Sequence, residues 1–175
     1  MKIIAFAASS STKSINKKLV TYASSLIEGA CTEVLDLNDY ELPLFSEDKE
    51  MEIGQPSLAK QFLEKIKESD LVMISFAEHN GSYSAAYKNI FDWCSRINPK
   101  VYQNKPMMLL ATSPGKGGAS NVLSTAMSSI PHFDGIIKGS FSLPSFYDNF
   151  DIENNVVSNE VLSAKLKDEV EHINL

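Results

Sequence analysis

The chain has 175 residues, 43% hydrophobic and 22% charged, with 16 basic and 22 acidic residues and a formal net charge of −6. These proportions fit one globular domain over residues 1–175 with a sizeable core; the acidic balance argues against nucleic acid and anionic membranes, both of which bind through Lys and Arg. No apolar run approaches the roughly 20 residues of a membrane span, and the first one falls short of the about 7–15 residues of a signal-peptide core, so the expected location is cytoplasmic.

In chain order, residues 2–8 are a short apolar strand. Residues 16–28 place Leu19, Val20, Ala23, Leu26 and Ile27 on one helical face, and Gly29 is a stop signal. Residues 32–37 read as a second strand. Residues 38–56, with Pro43, Gly54, Pro56 and many acids, read as an irregular surface excursion. Leu58, Phe62 and Ile66 repeat at helical spacing. Residues 70–76 predict a third strand. Residues 84–97 carry Ala86, Ile90, Cys94 and Ile97 along one helical stripe. Lys105 and Pro106 introduce a fourth strand at 107–111. A glycine-rich turn at 113–118 leads to a helix at 119–130 and a fifth strand at 136–143. Residues 144–158 form a second irregular stretch. Leu162, Leu166, Val170 and Ile173 give a last helix over 161–173.

Five strand–helix units predict an α/β protein with a doubly wound parallel sheet covered on both faces, a three-layer α/β/α arrangement. Right-handed crossovers and this count allow the flavodoxin-like strand order 2-1-3-4-5. A six-stranded dinucleotide-binding order needs one strand more. In the five-stranded order the chain reverses direction between the first and third strands, where ligands of open sheets bind.

The loops after those strands carry the candidate chemistry. Ser9, Ser10, Ser11, Thr12 and Ser14 precede a helix that begins near Ile15 and Asn16. Hydroxyls, backbone N–H groups and a positive helix end suit a phosphate, and Lys13 adds a charge. The same residues also serve as ordinary helix caps. Neither GxGxxG nor GxxxxGK[ST] is present. Glu78, His79, Asn80, Gly81 and Ser82 follow the third strand. Asn80 offers both a donor and an acceptor to a polar ring edge, and Gly81 permits positive φ or close backbone approach. Ser113, Pro114, Gly115, Gly117 and Gly118 form a side-chain-poor turn against which a flat ring can pack. Together the loops suggest a phosphorylated, planar cofactor. Cys31 and Cys94 show no CxxC pairing, and His79, His132 and His172 lack ligand spacing, so no metal site is expected.

At these residues the chain resembles the NADPH-dependent FMN reductases, a family of flavin, quinone, chromate and azo reductases. The family's first loop reads Gly-Ser-x-Arg-x-x-Ser-x-Asn; Ser9, Ser14 and Asn16 match, while Ala8 replaces the Gly and Ser11 the Arg. The second reads Pro-Glu-Tyr-Asn-x-Ser, followed by a Leu-Lys-Asn-x-x-Asp-Trp segment. Glu78, Asn80, Ser82, Lys88, Asn89, Asp92 and Trp93 match; Ala77, His79 and Tyr87 depart. Ser113, Gly115 and Gly118 fit the third.

The resemblance implies FMN, with its phosphate on residues 9–16 and its ring against 78–82 and 113–118. NADPH or NADH would give hydride to flavin N5, and two electrons would pass on to a quinone, flavin or similar small acceptor. No side-chain nucleophile is expected; His79 is the one possible catalytic group, bringing a charge that depends on pH. Homodimers or homotetramers are implied, with Tyr87, Phe91 and Trp93 as interface or core residues. The alternatives are a flavodoxin-type FMN electron carrier without nicotinamide turnover, which the acidic charge suits, and a phosphate-binding or phosphoryl-transfer module.

Overall fold

The five apolar runs become one parallel sheet in a computed structural model, which describes residues 1–173. Its strands are β1 (Lys2–Ala8), β2 (Cys31–Leu35), β3 (Leu71–Phe76), β4 (Lys105–Thr112) and β5 (Gly135–Leu143), in the order β2-β1-β3-β4-β5. This is the predicted flavodoxin-like order. Ile3 pairs with Thr32 on one side and Leu71 on the other, and Val72 pairs with Met107. Every residue of β3 is buried, as a strand covered on both faces requires.

Alternation along the strands divides the core. Ile4, Phe6, Val72, Ile74 and Leu109 face helices α2 (Ser57–Lys67), α3 (Ala85–Ile97) and α4 (Ser120–Ser129). Ile3, Ala5, Leu71 and Met73 face α1 (Ile15–Ser25) and α5 (Glu160–Glu171). Successive side chains of a strand point to opposite faces, so one apolar run serves two helical layers. The edge strand β5 alternates instead. Its exposed ladder is partly closed by α5: the Ser140 N–H donates to the Glu169 carboxylate at 3.0 Å.

Three segments differ from their sequence reading. α1 ends at Ser25 rather than 28; Leu26 turns its N–H back to Ala23, and Gly29 (φ 71°) completes the reversal. The excursion at 38–56 is not irregular throughout. It contains a 3-10 turn, Leu37–Tyr40, and a helix, Glu47–Ile53. Ser46 caps that helix by accepting the Lys49 N–H, acids fill its first turn, and Gly54 ends it at φ 69°. Those signals were present in the sequence but sat between prolines. Residues 144–158 hold a one-turn helix, Phe146–Asn149, and a small hairpin joining Phe150–Asp151 to Val156–Val157.

The Asn89 and Trp93 side chains of α3 strap the excursion down. Asn89 accepts the Phe45 N–H at 2.9 Å and donates to the carbonyls of Leu42 and Pro43; the Trp93 indole donates to Pro43 at 2.8 Å and meets Phe45 edge-on. Trp93 and Tyr87 are 0% and 3% exposed, so both are core residues of this chain rather than interface residues; Phe91 is half-buried. No helix among the described residues is long and apolar enough to cross a membrane.

Candidate active site

Buried polar groups fix the carboxyl ends of the strands relative to one another. Asn16, at the start of α1 and 3% exposed, reaches across the sheet. Its Oδ1 accepts from the Ser75 hydroxyl at 2.7 Å and from the Thr112 N–H at 3.1 Å, while its Nδ2 donates to the Thr112 carbonyl at 3.2 Å. Ser84 caps α3 and donates to the Ala8 carbonyl at 2.8 Å. The Thr112 hydroxyl donates to Leu143 at 2.7 Å. The ends of β1, β3, β4 and β5 are thereby tied into one rigid floor. No buried side-chain polar atom among the described residues lacks a partner.

Above this floor lies an open cavity of about 240 Å³. Ser9, Ser11, Lys13, Ser14, Ile15 and Asn16 line it from the first loop, Ala77, Glu78 and His79 from the second, and Thr112, Ser113 and Pro114 from the third. Tyr147 reaches it from the turn after β5. Ten of the sequence-predicted residues thus meet at one place, in agreement with the switch-point argument. Asn80, Gly81, Ser82, Gly115, Gly117 and Gly118 lie outside the cavity lining. Ala77, Thr112 and Tyr147 were missed; only Tyr147 carried a signal, as an aromatic residue in a polar stretch.

The first loop retains free donors. Ser14 is committed: its hydroxyl accepts the Lys17 N–H at 3.2 Å, the ordinary capping role. Ser9 Oγ accepts the Ser11 N–H at 3.1 Å. The N–H groups of Ile15 and Asn16 fall in the first turn of α1, where no preceding helical carbonyl can accept them. Lys17 is held at 2.6 Å by Asp36, and its ammonium keeps that carboxyl below the usual carboxylate range. Lys13 belongs to none of the ion pairs among the described residues. The unspent groups are therefore an ammonium, a helix start and hydroxyls, a donor set that fits a phosphate monoester.

The second loop is built differently. Glu78–His79 and Ser82–Tyr83 form a two-residue hairpin, with Asn80 at φ 52° and Gly81 at φ 79°. Two positive central φ values are the mark of a type I′ turn, for which Asn-Gly is the preferred pair. Gly81 is therefore needed for its backbone angle rather than for close approach; nothing lies within 4 Å of where its Cβ would be. Glu78 caps α4 from a distance. Its carboxylate accepts the Val122 N–H at 3.0 Å and the Asn121 side-chain amide at 3.3 Å, where the residue at the cap, Ala119, offers no side-chain bond. His79 is exposed at the cavity rim.

The third loop is held by its neighbours. Gly118 sits at φ 58°, and a Cβ there would come within 2.3 Å of Ser142 Oγ, which donates to the Gly118 carbonyl. The Ser145 and Phe146 N–H groups donate to Gly115 and Ser113 at 2.9 and 3.0 Å.

The buried thiol and phenols of the core lie outside the cavity lining. The buried Cys94 thiol is pushed up to about 12 by desolvation, and burial likewise raises the touching phenols of Tyr87 and Tyr102. No group of three His, Cys, Asp or Glu side chains suited to a metal ion occurs among the described residues. What remains is an open cavity with uncommitted donors at the start of α1 and backbone-rich loops beside them.

Comparison with known proteins gives the family and the fold. The model of the family described as NADPH-dependent FMN reductase matches residues 1–148. An NADPH:quinone oxidoreductase of Arabidopsis thaliana is 34% identical over 146 residues, covering 81% of this chain and 71% of the plant protein. An NAD(P)H-dependent FMN reductase of Pseudomonas aeruginosa is 28% identical over 121 residues, covering 69% of this chain but 64% of that relative. Among solved structures, FerB from Paracoccus denitrificans, a flavoenzyme NAD(P)H:(acceptor) oxidoreductase, superposes with a TM-score of 0.77 at 24% identity; the match covers 97% of this chain and 93% of FerB, and establishes the shared fold.

Proposed function

The chain belongs to the NADPH-dependent FMN reductase family, and from that premise we propose that it is an FMN-dependent NAD(P)H oxidoreductase delivering two electrons to a small acceptor such as a quinone or a free flavin. Bound FMN would supply the ring chemistry, taking hydride from a reduced nicotinamide and giving up two electrons to the acceptor. The protein's part is binding, orientation and electrostatics. Lys13, the hydroxyls of Ser9 and Ser11 and the N–H groups that start α1 would hold the phosphate. Asn16 would act indirectly: with its own side chain turned into the sheet, it holds the start of α1 over β4. The 77–79 and 112–114 segments would border the ring. His79, exposed at the rim, would be the one titratable imidazole beside it.

The observation that carries this reading is the uncommitted donor set at the start of α1, placed beside two backbone-rich loops over one cavity. The openness of the crevice suits a cofactor that must admit first a nicotinamide and then an acceptor. A homodimer or homotetramer belongs to the same reading; exposed Leu44 and Met51 on the strapped excursion and half-buried Phe91 are apolar surface available to it.

The test is a visible spectrum of the purified protein after mixing with FMN, followed by NADPH or NADH and a quinone. Bound yellow flavin with nicotinamide oxidation that requires both FMN and the quinone is the expected result. Failure to bind FMN overturns the reading, and FMN binding without nicotinamide turnover reduces the protein to an electron carrier.

A further inference from the structure

We propose that Tyr147 is a binding residue of this crevice, donating its phenol hydroxyl to the phosphate of the bound mononucleotide and covering that end of the site with its ring. The inference rests on the flavin reading above and adds to it a residue from the turn after β5, outside all three loop motifs.

The first observation is a contrast in burial. Tyr147 is 61% exposed, although its neighbours Phe146 and Phe150 are buried and stack on each other at 4.6 Å. Two anchored rings thus hold a third at the lip of the cavity.

The second is the rigidity of the mount. Ser145 and Phe146 are hydrogen-bonded to Gly115 and Ser113, the Asp148 N–H donates to Ser145 at 2.9 Å, and the Asn149 amide donates to Pro144 at 2.9 Å. Ser145 adopts φ 44°, a left-handed conformation that serine takes only under constraint. A side chain on a fixed backbone loses less entropy when it engages a ligand.

The third is position. Phe150 meets Tyr22 of α1 edge-on at 6.2 Å, and Phe146 shares a core cluster with Leu19 and Val20. The turn therefore packs on the body of α1 and is bonded to the Ser113–Gly115 segment, and the cavity that Tyr147 lines is also lined by the first residues of that helix.

Chemistry then selects the phenol. A phosphate monoester presents three oxygens that accept several bonds each. Beyond the first loop, the side-chain hydroxyls and amides around the cavity are largely spent. The Thr112 hydroxyl serves Leu143, Asn16 is used by Ser75 and Thr112, and Ser113 Oγ leans on the Gly115 carbonyl at 3.3 Å. Glu78 is anionic and engaged with α4. Outside the first loop, Tyr147 is the neutral side-chain donor of the cavity lining that remains.

The experiment compares FMN with riboflavin, which lacks the phosphate, by quenching of flavin fluorescence on wild type, Tyr147→Phe and Tyr147→Ala. Tyr147→Phe should weaken FMN about tenfold, the scale of one hydrogen bond to a charged group, and leave riboflavin unchanged. The preference for FMN over riboflavin falls by the same factor. Tyr147→Ala should add a loss common to both ligands. An unchanged FMN preference in Tyr147→Phe overturns the proposal, including the case in which only the alanine variant binds worse and does so equally for both flavins. Wild type that binds neither flavin overturns the FMN reading itself, and this inference with it. An exposed tyrosine leaves the core intact in both variants.

Discussion

The two sides of the crevice make opposite use of their sequence. On the α1 side, a loose run of hydroxyl residues leaves its cation and its first helical N–H groups uncommitted. On the β3 side, a long and specific motif spends nearly all its polar side chains on the protein itself. Glu78 caps α4, Asn80 and Gly81 make a hairpin turn, Lys88 pairs with Asp92 at 2.6 Å, and Asn89 and Trp93 strap down residues 42–45. The more specific motif is thus the more architectural one. A spacing can be characteristic because it builds the frame around a site rather than because it touches what binds there.

That contrast can be broken experimentally. The largest expected effect is on the frame: Trp93→Ala should cost about 3–5 kcal/mol in urea unfolding, because it opens a cavity in the core and releases the 42–45 strap. Near-native stability would mean that the strap is not structural. Next, Glu78→Ala should cost about 1 kcal/mol, the usual effect of losing a helix cap, with Glu78→Gln retaining part of it through its remaining carbonyl oxygen. If stability stays constant while flavin binding is lost, Glu78 belongs to the ligand and the division between the two sides fails. The smallest effect is expected from Lys13→Gln. It should leave stability unchanged and weaken FMN by roughly fivefold at low salt, with the difference fading as salt screens an exposed charge. A stability loss there would place Lys13 with the frame.

Much of this was legible before folding. The apolar runs of β1, β3 and β4 specified central strands buried on both faces, and the helical stripes between the strands required a layered parallel sheet. The hydroxyl run at 9–14 was readable as an anion loop because its residue types carry donors wherever they sit. The hairpin is also readable, since Asn-Gly between Glu78-His79 and Ser82-Tyr83 is itself a turn signal, although the same polar residues also suit a ligand edge. The helix at 47–53 was hidden by its prolines and by the lack of a buried face.

The sequence by itself determined the element order, the parallel sheet and the loops that share its carboxyl edge, because periodicity and turn chemistry are local properties. Only the tertiary structure decided which polar side chains are spent and which are free. It turned Asn16 into the sheet, sent Glu78 to a helix that begins some forty positions onward, and brought Tyr147 from the far turn onto the lip of the cavity. Those outcomes depend on distances between segments remote in the chain, and no local pattern encodes them.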